Sequence, residues 1–306
     1  METIEILLAT YNGEKYIKEQ LDSILKQEYD NWIVRACDDA SSDKTYAILM
    51  EYKNAYPTKF IVERNEKGTG SAKLNFFNLI KNSTCEYVMC CDQDDVWLPN
   101  KISLTIEKMK GIEDGHTPVL VHTDLKVVDQ DLNILSDSFF EYSQLSKTLE
   151  YKDTLIQNSV TGCTLMMNRP LVSLVQKENE FKDILMHDWL ITVLAAGMGK
   201  IAFVDCPTML YRQHSVNSVG AKQYGVSLFL SKLKNSDIRK SLVDTTLQAG
   251  QIAKTYREEL GEELYQLTYE YSKLFMRGKI HRVHFYIKNK VMKKGLPRKI
   301  AQVIFG

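Results

Sequence analysis

Residues 86–101 read Glu-Tyr-Val-Met-Cys-Cys-Asp-Gln-Asp-Asp-Val-Trp-Leu-Pro-Asn-Lys. The first six form a short apolar run of the kind that fits a strand buried on both faces. The run stops at Asp92-Gln93-Asp94-Asp95, and a helix is expected to start near Pro99, since proline fits the first helical turn. A strand that ends in a polar cluster and feeds a helix is the unit of a parallel α/β sheet. Ligands of such sheets bind beyond the carboxyl ends of the strands.

The same unit recurs upstream. Residues 4–9 read as a buried strand followed by Thr10-Tyr11-Asn12-Gly13, after which Tyr16, Ile17, Leu21, Ile24 and Leu25 share one helical face. Residues 32–37 are the next strand, ending in Asp38-Asp39. Ser41-Ser42-Asp43 supplies N-cap chemistry for a helix through Ala47, Leu49 and Met50. Residues 60–62 predict a third strand and residues 72–80 a third helix. After Pro118 the rhythm changes: residues 119–128 and 162–167 read as strands, 183–197 as a helix, and 201–204 with 208–211 as a closing pair. Past about residue 220 the pattern is helical, with Leu, Ile and Tyr at three- and four-residue spacing between Leu228 and Phe275.

Composition sets the limits. The chain has 306 residues, of which 44% are hydrophobic and 25% charged, which excludes disordered and fibrous classes. The longest membrane-span candidate, Leu190 to Met198, is nine residues, far short of the ~18 a span needs. No basic stretch precedes the first apolar run, and the six cysteines show no C-x-x-C spacing. Signal peptide, zinc site and disulfide framework are therefore not expected, and a cytoplasmic chain with reduced thiols is. The 39 basic and 39 acidic residues balance, yet residues 271–306 hold ten Lys or Arg and no Asp or Glu. The body thus carries a net charge of −10, which argues against nucleic-acid binding by it and reserves an anionic partner for the tail.

Two readings of the acidic cluster stand side by side. At an effective dielectric near 20, two unit charges 4 Å apart repel by about 4 kcal/mol, so three carboxylates in four residues call for a positive charge among them. A hard divalent cation bridging a diphosphate supplies one; a solvated turn capping the following helix, with Asp95 in its first turn, is the plainer account. Asp38-Asp39-Ala40-Ser41-Ser42 is similarly open: helix-cap chemistry, or a carboxylate accepting the N3–H of a pyrimidine beside Tyr11.

Taken in order, A-T-Y-N-G (9–13), the Leu21, Ser23, Ile24, Gln27 helix, D-D-A-S-S-D (38–43), Asn75-Phe76 and C-D-Q-D-D-V-W-L-P-N-K (91–101) resemble the family 2 glycosyltransferases of GT-A fold. The D-Q-D-D-x-W form is similar to the bacterial rhamnosyltransferase-like branch that builds surface polysaccharide. The resemblance covers residues 3–219. It implies a GT-A α/β fold, with a mostly parallel central sheet flanked by helices. Residues 1–220 form the transferase domain, with a nucleotide-binding half at 1–115 and an acceptor-side half at 116–220. Residues 221–306 form a helical extension. The implied activity is inverting, metal-dependent transfer, with dTDP-L-rhamnose as leading donor and a polyprenyl-diphosphate-linked glycan as acceptor. A UDP-hexose transferase of the same fold and a non-catalytic nucleotide-sugar-binding scaffold are the alternatives. The scaffold predicts loss of metal or base carboxylates.

Position by position, the resemblance implies that Thr10, Tyr11 and Asp39 bind the base with Asp38 in support, and that Asn12, Asn75 and Gln93 join the nucleotide set. Asp92 matches the ribose and metal end of the D-x-D motif, and Asp94 its Mn2+ or Mg2+ ligand. Gly162 matches the loop beside the donor sugar. Asp188, in His187-Asp188-Trp189, matches the catalytic base, and near a helix start it is expected to stay ionised. His214, in Tyr211-Arg212-Gln213-His214, matches a residue that completes the metal shell. Trp97, His187, Trp189 and Arg212 are expected around the donor and acceptor pocket. His187 stands where many relatives carry Glu, which leaves open whether imidazole shares the base's role.

The end of the chain, from Arg277, alternates basic and apolar residues. It reads either as an amphipathic segment for an anionic membrane surface, making the protein peripheral on the inner face of the cell membrane, or as a solvated helix packed on the acidic body.

Overall fold

Strand β1 (Ile4–Thr10) lies at the centre of the molecule and is buried along its whole length. Its alternation serves two cores. Ile4, Ile6 and Leu8 join one apolar cluster, while Leu7 and Ala9 join another on the opposite face. Glu5, on the second face, is matched by the Arg35 guanidinium at 2.8 Å and by the Ser83 hydroxyl. The computed structural model describes residues 2–214 and 235–306.

Around β1 the chain lays down α1 (Ile17–Leu25), β2 (Trp32–Asp38), α2 (Thr45–Ala55), β3 (Phe60–Arg64), α3 (Ala72–Asn82) and β4 (Tyr87–Cys91). β5 (Val96–Trp97), α4 (Lys101–Lys110), β6 (Val119–Val128), β7 (Ile134–Ser136), α5 (Phe139–Ser143) and α6 (Tyr151–Thr154) follow. Next come a 3-10 turn (Gly162–Thr164), β8 (Leu165–Asn168), α7 (Arg169–Gln176), α8 (His187–Met198) and β9 (Lys200–Arg212). The remaining helices are α9 (Asn235–Thr255), α10 (Gly261–Ser272), α11 (Lys279–Asn289) and α12 (Leu296–Phe305).

The sheet order is β3-β2-β1-β4-β8-β6-β9-β5, with β7 paired to β6. The parallel expectation holds through β3-β2-β1-β4 and again between β6 and β9; the pairings of β8, β7 and β5 are antiparallel. After β1 the chain moves outward to β2 and β3, then returns to place β4 on the other side of β1. That reversal opens a crevice at the carboxyl ends of β1 and β4, the place where sheets of this kind take ligands.

Several local expectations are corrected. Residues 201–211 are not a pair of strands: β9 is one strand that stays beside β6 and absorbs Pro207, which has no N–H to give, through irregular register near Asp124. Residues 162–164 form a 3-10 turn before β8 rather than part of it. α8 starts at His187, not Asp183, because tertiary contacts hold the preceding backbone in a bend. Lys73 Nζ takes Phe181 O at 2.8 Å and Ile184 O at 2.5 Å, and Leu185 N–H donates to Gln248. At α2 only Asp43 caps, accepting from Thr45 N–H at 2.9 Å; Ser41 and Ser42 turn towards Asn12.

The expected boundary at 220 and the start of the helical stretch at Leu228 lie outside the described residues. The helices beyond them share the body's core: Leu242, Ile252, Tyr256, Tyr271, Phe285 and Tyr286 belong to the cluster that contains Leu7, Phe77 and Leu194. Each such fully buried side chain contributes about 1.5–3 kcal/mol. Among the described residues no helix is long and apolar enough to cross a membrane.

Candidate active site

The β1 end is locked before any ligand arrives. Asn12 takes φ 46°, a left-handed conformation that Asn tolerates. Its N–H donates to Ser41 Oγ at 2.9 Å, its side-chain oxygen accepts from Ser42 N–H at 2.9 Å, and Gly13 N–H donates to Thr45 Oγ1 at 2.7 Å. Across the crevice the Gln93 amide clamps the main chain of Tyr11, accepting from its N–H and donating to its C=O, both at 2.9 Å. The Tyr11 ring remains 58% exposed. A Cβ on Gly13 would lie 2.3 Å from Gln93 Oε1. Gln93→Ala and Gly13→Ala therefore break the same clamp, each expected to destabilise by about 1–2 kcal/mol. Thermal melts of the single and double variants test this, and an additive double variant would show that Gln93 and Gly13 act separately.

Asp38 and Asp39 are engaged differently from the expectation of a carboxylate waiting for a base. Asp38 is fully buried, accepting from Ser41 N–H at 3.0 Å and Thr10 Oγ1 at 3.4 Å, with Arg64 Nε at 3.5 Å. Asp39 accepts four bonds from one neighbouring turn: Asn65 Nδ2 at 3.0 Å, Thr69 N–H at 2.7 Å, Thr69 Oγ1 at 2.8 Å and Gly70 N–H at 3.1 Å. The sequence signal for that contact is Gly68-Thr69-Gly70-Ser71, a glycine-rich turn just ahead of α3. Asn75 sits under β2, its amide donating to Cys37 O at 2.9 Å, and braces the strand end from behind.

The acidic loop is fastened by buried cations. Arg212, 2% exposed, donates to Asp94 O at 2.8 Å and Gln130 O at 2.7 Å, pairs with Glu19, and lies 4.5 Å over the Tyr16 ring. Its own N–H donates to Asp95 Oδ1 at 3.1 Å. Lys101 is fully buried beneath the loop, 3.3 Å from Thr208 Oγ1 and 4.9 Å from the Trp97 ring, and burial lowers its pKa to about 8. Part of the expected countercharge is thus built into the protein. Two pocket assignments are corrected here: Arg212 braces the loop from below, and Trp97, 2% exposed, packs in the core among Ile102, Met109 and Met209.

Asp94 Oδ2 lies 2.9 Å from His214 Nε2, and His214 stacks on Tyr16 at 4.9 Å. Two ligands about 2.1 Å from one ion and at right angles to each other are separated by about 3 Å, so this pair fits adjacent coordination positions. The carboxylate suits Mg2+ or Mn2+. Asp92 faces the same loop; burial, then Asp94 and Asp188, raise its pKa to about 7. Asp92, Asp95 and Cys163 also bring one potential ligand atom each within 4.8 Å of one another. The Cys163 thiol is a soft ligand and fits a hard cation less well than the carboxylates; Asp95 is fully buried, and its Oδ2 has no partner among the described residues.

Asp188 stands in the first turn of α8 and accepts the Gly162 N–H at 3.2 Å. Its Oδ1 is buried with no partner among the described residues. Burial raises its pKa to about 7, against the lowering effect of the Trp189 and Gly162 N–H groups, so the helix dipole does not hold it ionised under mildly acid conditions. Next to it, His187 is 3% exposed and stacked on Phe76 at 4.0 Å, and burial lowers its pKa to about 3. A Cβ on Gly162 would meet His187 Nε2 at 2.7 Å, which explains the glycine there. Trp189 is held sideways, its indole N–H donating to Thr154 O at 2.6 Å. His122 and Asp124, in β6, are structural. The first packs against Phe140 and Phe203, while the second accepts from Ser138 Oγ at 2.5 Å and Phe139 N–H at 3.0 Å.

A family model described as Glycosyl transferase family 2 matches residues 5–173. The dTDP-rhamnosyl transferase RfbG of Shigella flexneri is 29% identical over 275 residues, spanning 81% of this chain and 89% of that protein. The UDP-Glc:alpha-D-GlcNAc-diphosphoundecaprenol beta-1,3-glucosyltransferase WfgD of Escherichia coli is 31% identical over 106 residues, spanning 35% of this chain and 40% of that protein. Among solved structures, S. aureus TarS 1-349 in complex with UDP matches with a TM-score of 0.57 at 18% identity, over 92% of this chain and 73% of that one. The mannosyltransferase PcManGT from Pyrobaculum calidifontis, in complex with GDP-Man and Mn2+, matches with a TM-score of 0.55 at 14% identity, over 96% and 76%. At such identities the structural likeness speaks to the fold alone.

Proposed function

The chain belongs to glycosyl transferase family 2 and has its GT-A fold, and on that premise we propose an inverting, metal-dependent transfer of one sugar from a nucleoside diphosphate donor. The acceptor in this reading is a hydroxyl of a polyprenyl-diphosphate-linked glycan in bacterial surface-polysaccharide synthesis. L-Rhamnose from dTDP-L-rhamnose is the first donor. The likeness to RfbG over four fifths of the chain supports that donor, and the lipid-linked substrate in WfgD's name supports the acceptor.

One observation carries the reading. The Asp94–His214 pair and the Tyr11 loop flank the crevice between β1 and β4, and Asp188 is tied to the Gly162 turn that leads into β8, the next strand beyond β4. Tyr11 offers a ring for the base. Asp188 takes the proton of the attacking hydroxyl as its oxygen bonds to the anomeric carbon, so no covalent intermediate is needed. A bound Mn2+ or Mg2+ supplies Lewis-acid stabilisation of the departing diphosphate. Burial lowers the pKa of His187 to about 3 and keeps it neutral, which favours Asp188 as the base.

The test is release of nucleoside diphosphate by the purified protein, with manganese and with chelator, from dTDP-rhamnose, UDP-glucose, UDP-galactose, UDP-N-acetylglucosamine and GDP-mannose. Metal-dependent turnover of dTDP-rhamnose above the others is the expected result. Turnover of a UDP-hexose instead would keep the reaction and replace the sugar. Silence with no nucleotide binding would overturn the reading.

A further inference from the structure

The basic end of the chain has two faces, and they are chemically different. Inward, Phe285, Tyr286 and Val291 are buried in the core shared with the body. Arg282 is also buried, donating to Arg277 O at 2.6 Å and to the Gly306 carbonyl. Gln302 closes the turn between α11 and α12, donating to Val291 O and accepting from Lys293 N–H, both at 2.9 Å. The segment is therefore anchored on the body by one side.

Outward, large aliphatic side chains stand in solvent: Met276 is 78% exposed, Ile280 88%, Ile287 62%, Leu296 71%, Ile300 50% and Ile304 50%. Ile280 and Ile287 are two turns apart on α11, and Leu296, Ile300 and Ile304 form one stripe along α12. Lys279 Nζ donates to Ile304 O at 2.7 Å and holds the two helix ends together. Arg277, Lys279, Lys288, Lys290 and Lys299 are exposed around these side chains. Residues 271–306 hold no Asp or Glu; of the five, Lys290 lies within electrostatic reach of Glu150 in the body. Single exposed aliphatics need no explanation; a row of them within a purely basic segment does.

We propose that this outer face docks on an anionic lipid bilayer. The isoleucines and Leu296 enter the boundary between headgroups and acyl chains, and the lysines meet lipid phosphates. The position of the face fits this. Lys294 N–H donates to Gln157 Oε1 at 2.9 Å and Lys294 Nζ pairs with Asp153 at 3.0 Å, while the adjoining Thr154 O receives the Trp189 indole N–H. The basic segment thus grips residues 153–157, which lead into the Gly162 turn and hold the neighbour of Asp188. The proposal goes beyond the transfer reading and does not depend on it, since lipid binding needs neither donor nor metal.

The experiment is co-sedimentation of the full chain with vesicles of phosphatidylcholine alone and of equimolar phosphatidylcholine and phosphatidylglycerol. Binding to the anionic vesicles only, weakened by salt, is expected. Ile280→Ser with Ile300→Ser should lower the partition coefficient by at least about tenfold. Lys288→Glu with Lys290→Glu should lower it by about fivefold or more per lysine. All four positions are exposed, and unchanged circular dichroism and thermal melts verify that the variants are folded. Failure to bind phosphatidylglycerol vesicles, or equal binding by the variants, overturns the proposal. So does a dimer on gel filtration that Ile280→Ser with Ile300→Ser dissolves, because the face then receives a second copy of the chain.

Discussion

Asp188→Asn is expected to lower sugar transfer by about 10²–10⁴-fold while leaving nucleotide affinity unchanged. Asparagine keeps the shape and still accepts the Gly162 N–H that positions the turn, but it cannot take a proton. The wild-type pH profile should carry the same signature. Burial raises the Asp188 pKa to about 7, so the carboxyl is protonated and inert as a base on the acid side, and kcat/KM rises with pH through about 7. Stability runs the other way. Folded Asp188 holds its proton more tightly than an unfolded aspartate, so its stabilising contribution is complete below about pH 4 and is lost as pH rises through about 7. Asp188→Asn removes that loss, and its melting temperature at pH 8 should exceed the wild type's. A variant that is both inactive and more stable at pH 8 is what a buried catalytic base predicts. An active variant, or a profile with no limb near neutrality, would reassign the base.

The strands and helices of the first half were legible because each is short, apolar and bounded by turn residues. Residues 4–9, 32–37 and 86–91 all became strands within one or two residues of expectation. The closing strand was not legible, since Asp205, Cys206 and Pro207 look like a break; only the partner β6 keeps the chain extended through them. Helix α8 began late for a similar reason: Lys73, more than a hundred residues away, claims the carbonyls of Phe181 and Ile184.

The candidate site divides along the same line. Residue types at strand ends pointed to Tyr11, Asn12, Asp92 and Asp94, because the α/β rhythm brings such ends together; Asp188, in the first turn of α8, came from the family resemblance alone. What those residues bond to was hidden. Asp39 satisfies a turn 26 to 31 residues downstream, and Arg212 reaches Glu19 across 193 residues. Neither pairing leaves a mark in local spacing. Trp97 and Arg212 were drawn towards the pocket by their proximity in sequence to motif residues, whereas side-chain direction sends both into the interior. A motif names positions; the pleat of the strand decides which side chains face the ligand.

Asp94→Asn is expected to weaken binding of dTDP or UDP by about a hundredfold in manganese and to strengthen it modestly in chelator, where the Asp94 charge only adds repulsion. The argument rests on charge. Asp92, Asp94 and Asp188 share the crevice, and the pKa of Asp92 is raised to about 7 by burial together with the other two carboxylates. A nucleoside diphosphate adds further negative charge, and Arg212 and Lys101 are spent on the underside of the loop. A divalent ion on Asp94 and His214 reverses the sign of the interaction, and several kcal/mol of charge stabilisation corresponds to about a hundredfold or more in affinity. Calorimetry of nucleotide binding with manganese and with chelator, on wild type and variant, closes a thermodynamic cycle. In the metal-site reading, chelator weakens wild-type binding to or below the level of Asp94→Asn, and the two perturbations do not add. His214→Ala, which removes one ligand and leaves the carboxylates, should fall between wild type and Asp94→Asn in manganese. If Asp94→Asn binds nucleotide as tightly as wild type in manganese, no ion sits on Asp94 and the contact at 2.9 Å is a plain hydrogen bond with His214. Equal affinity for wild type with and without manganese would remove the metal from the site altogether.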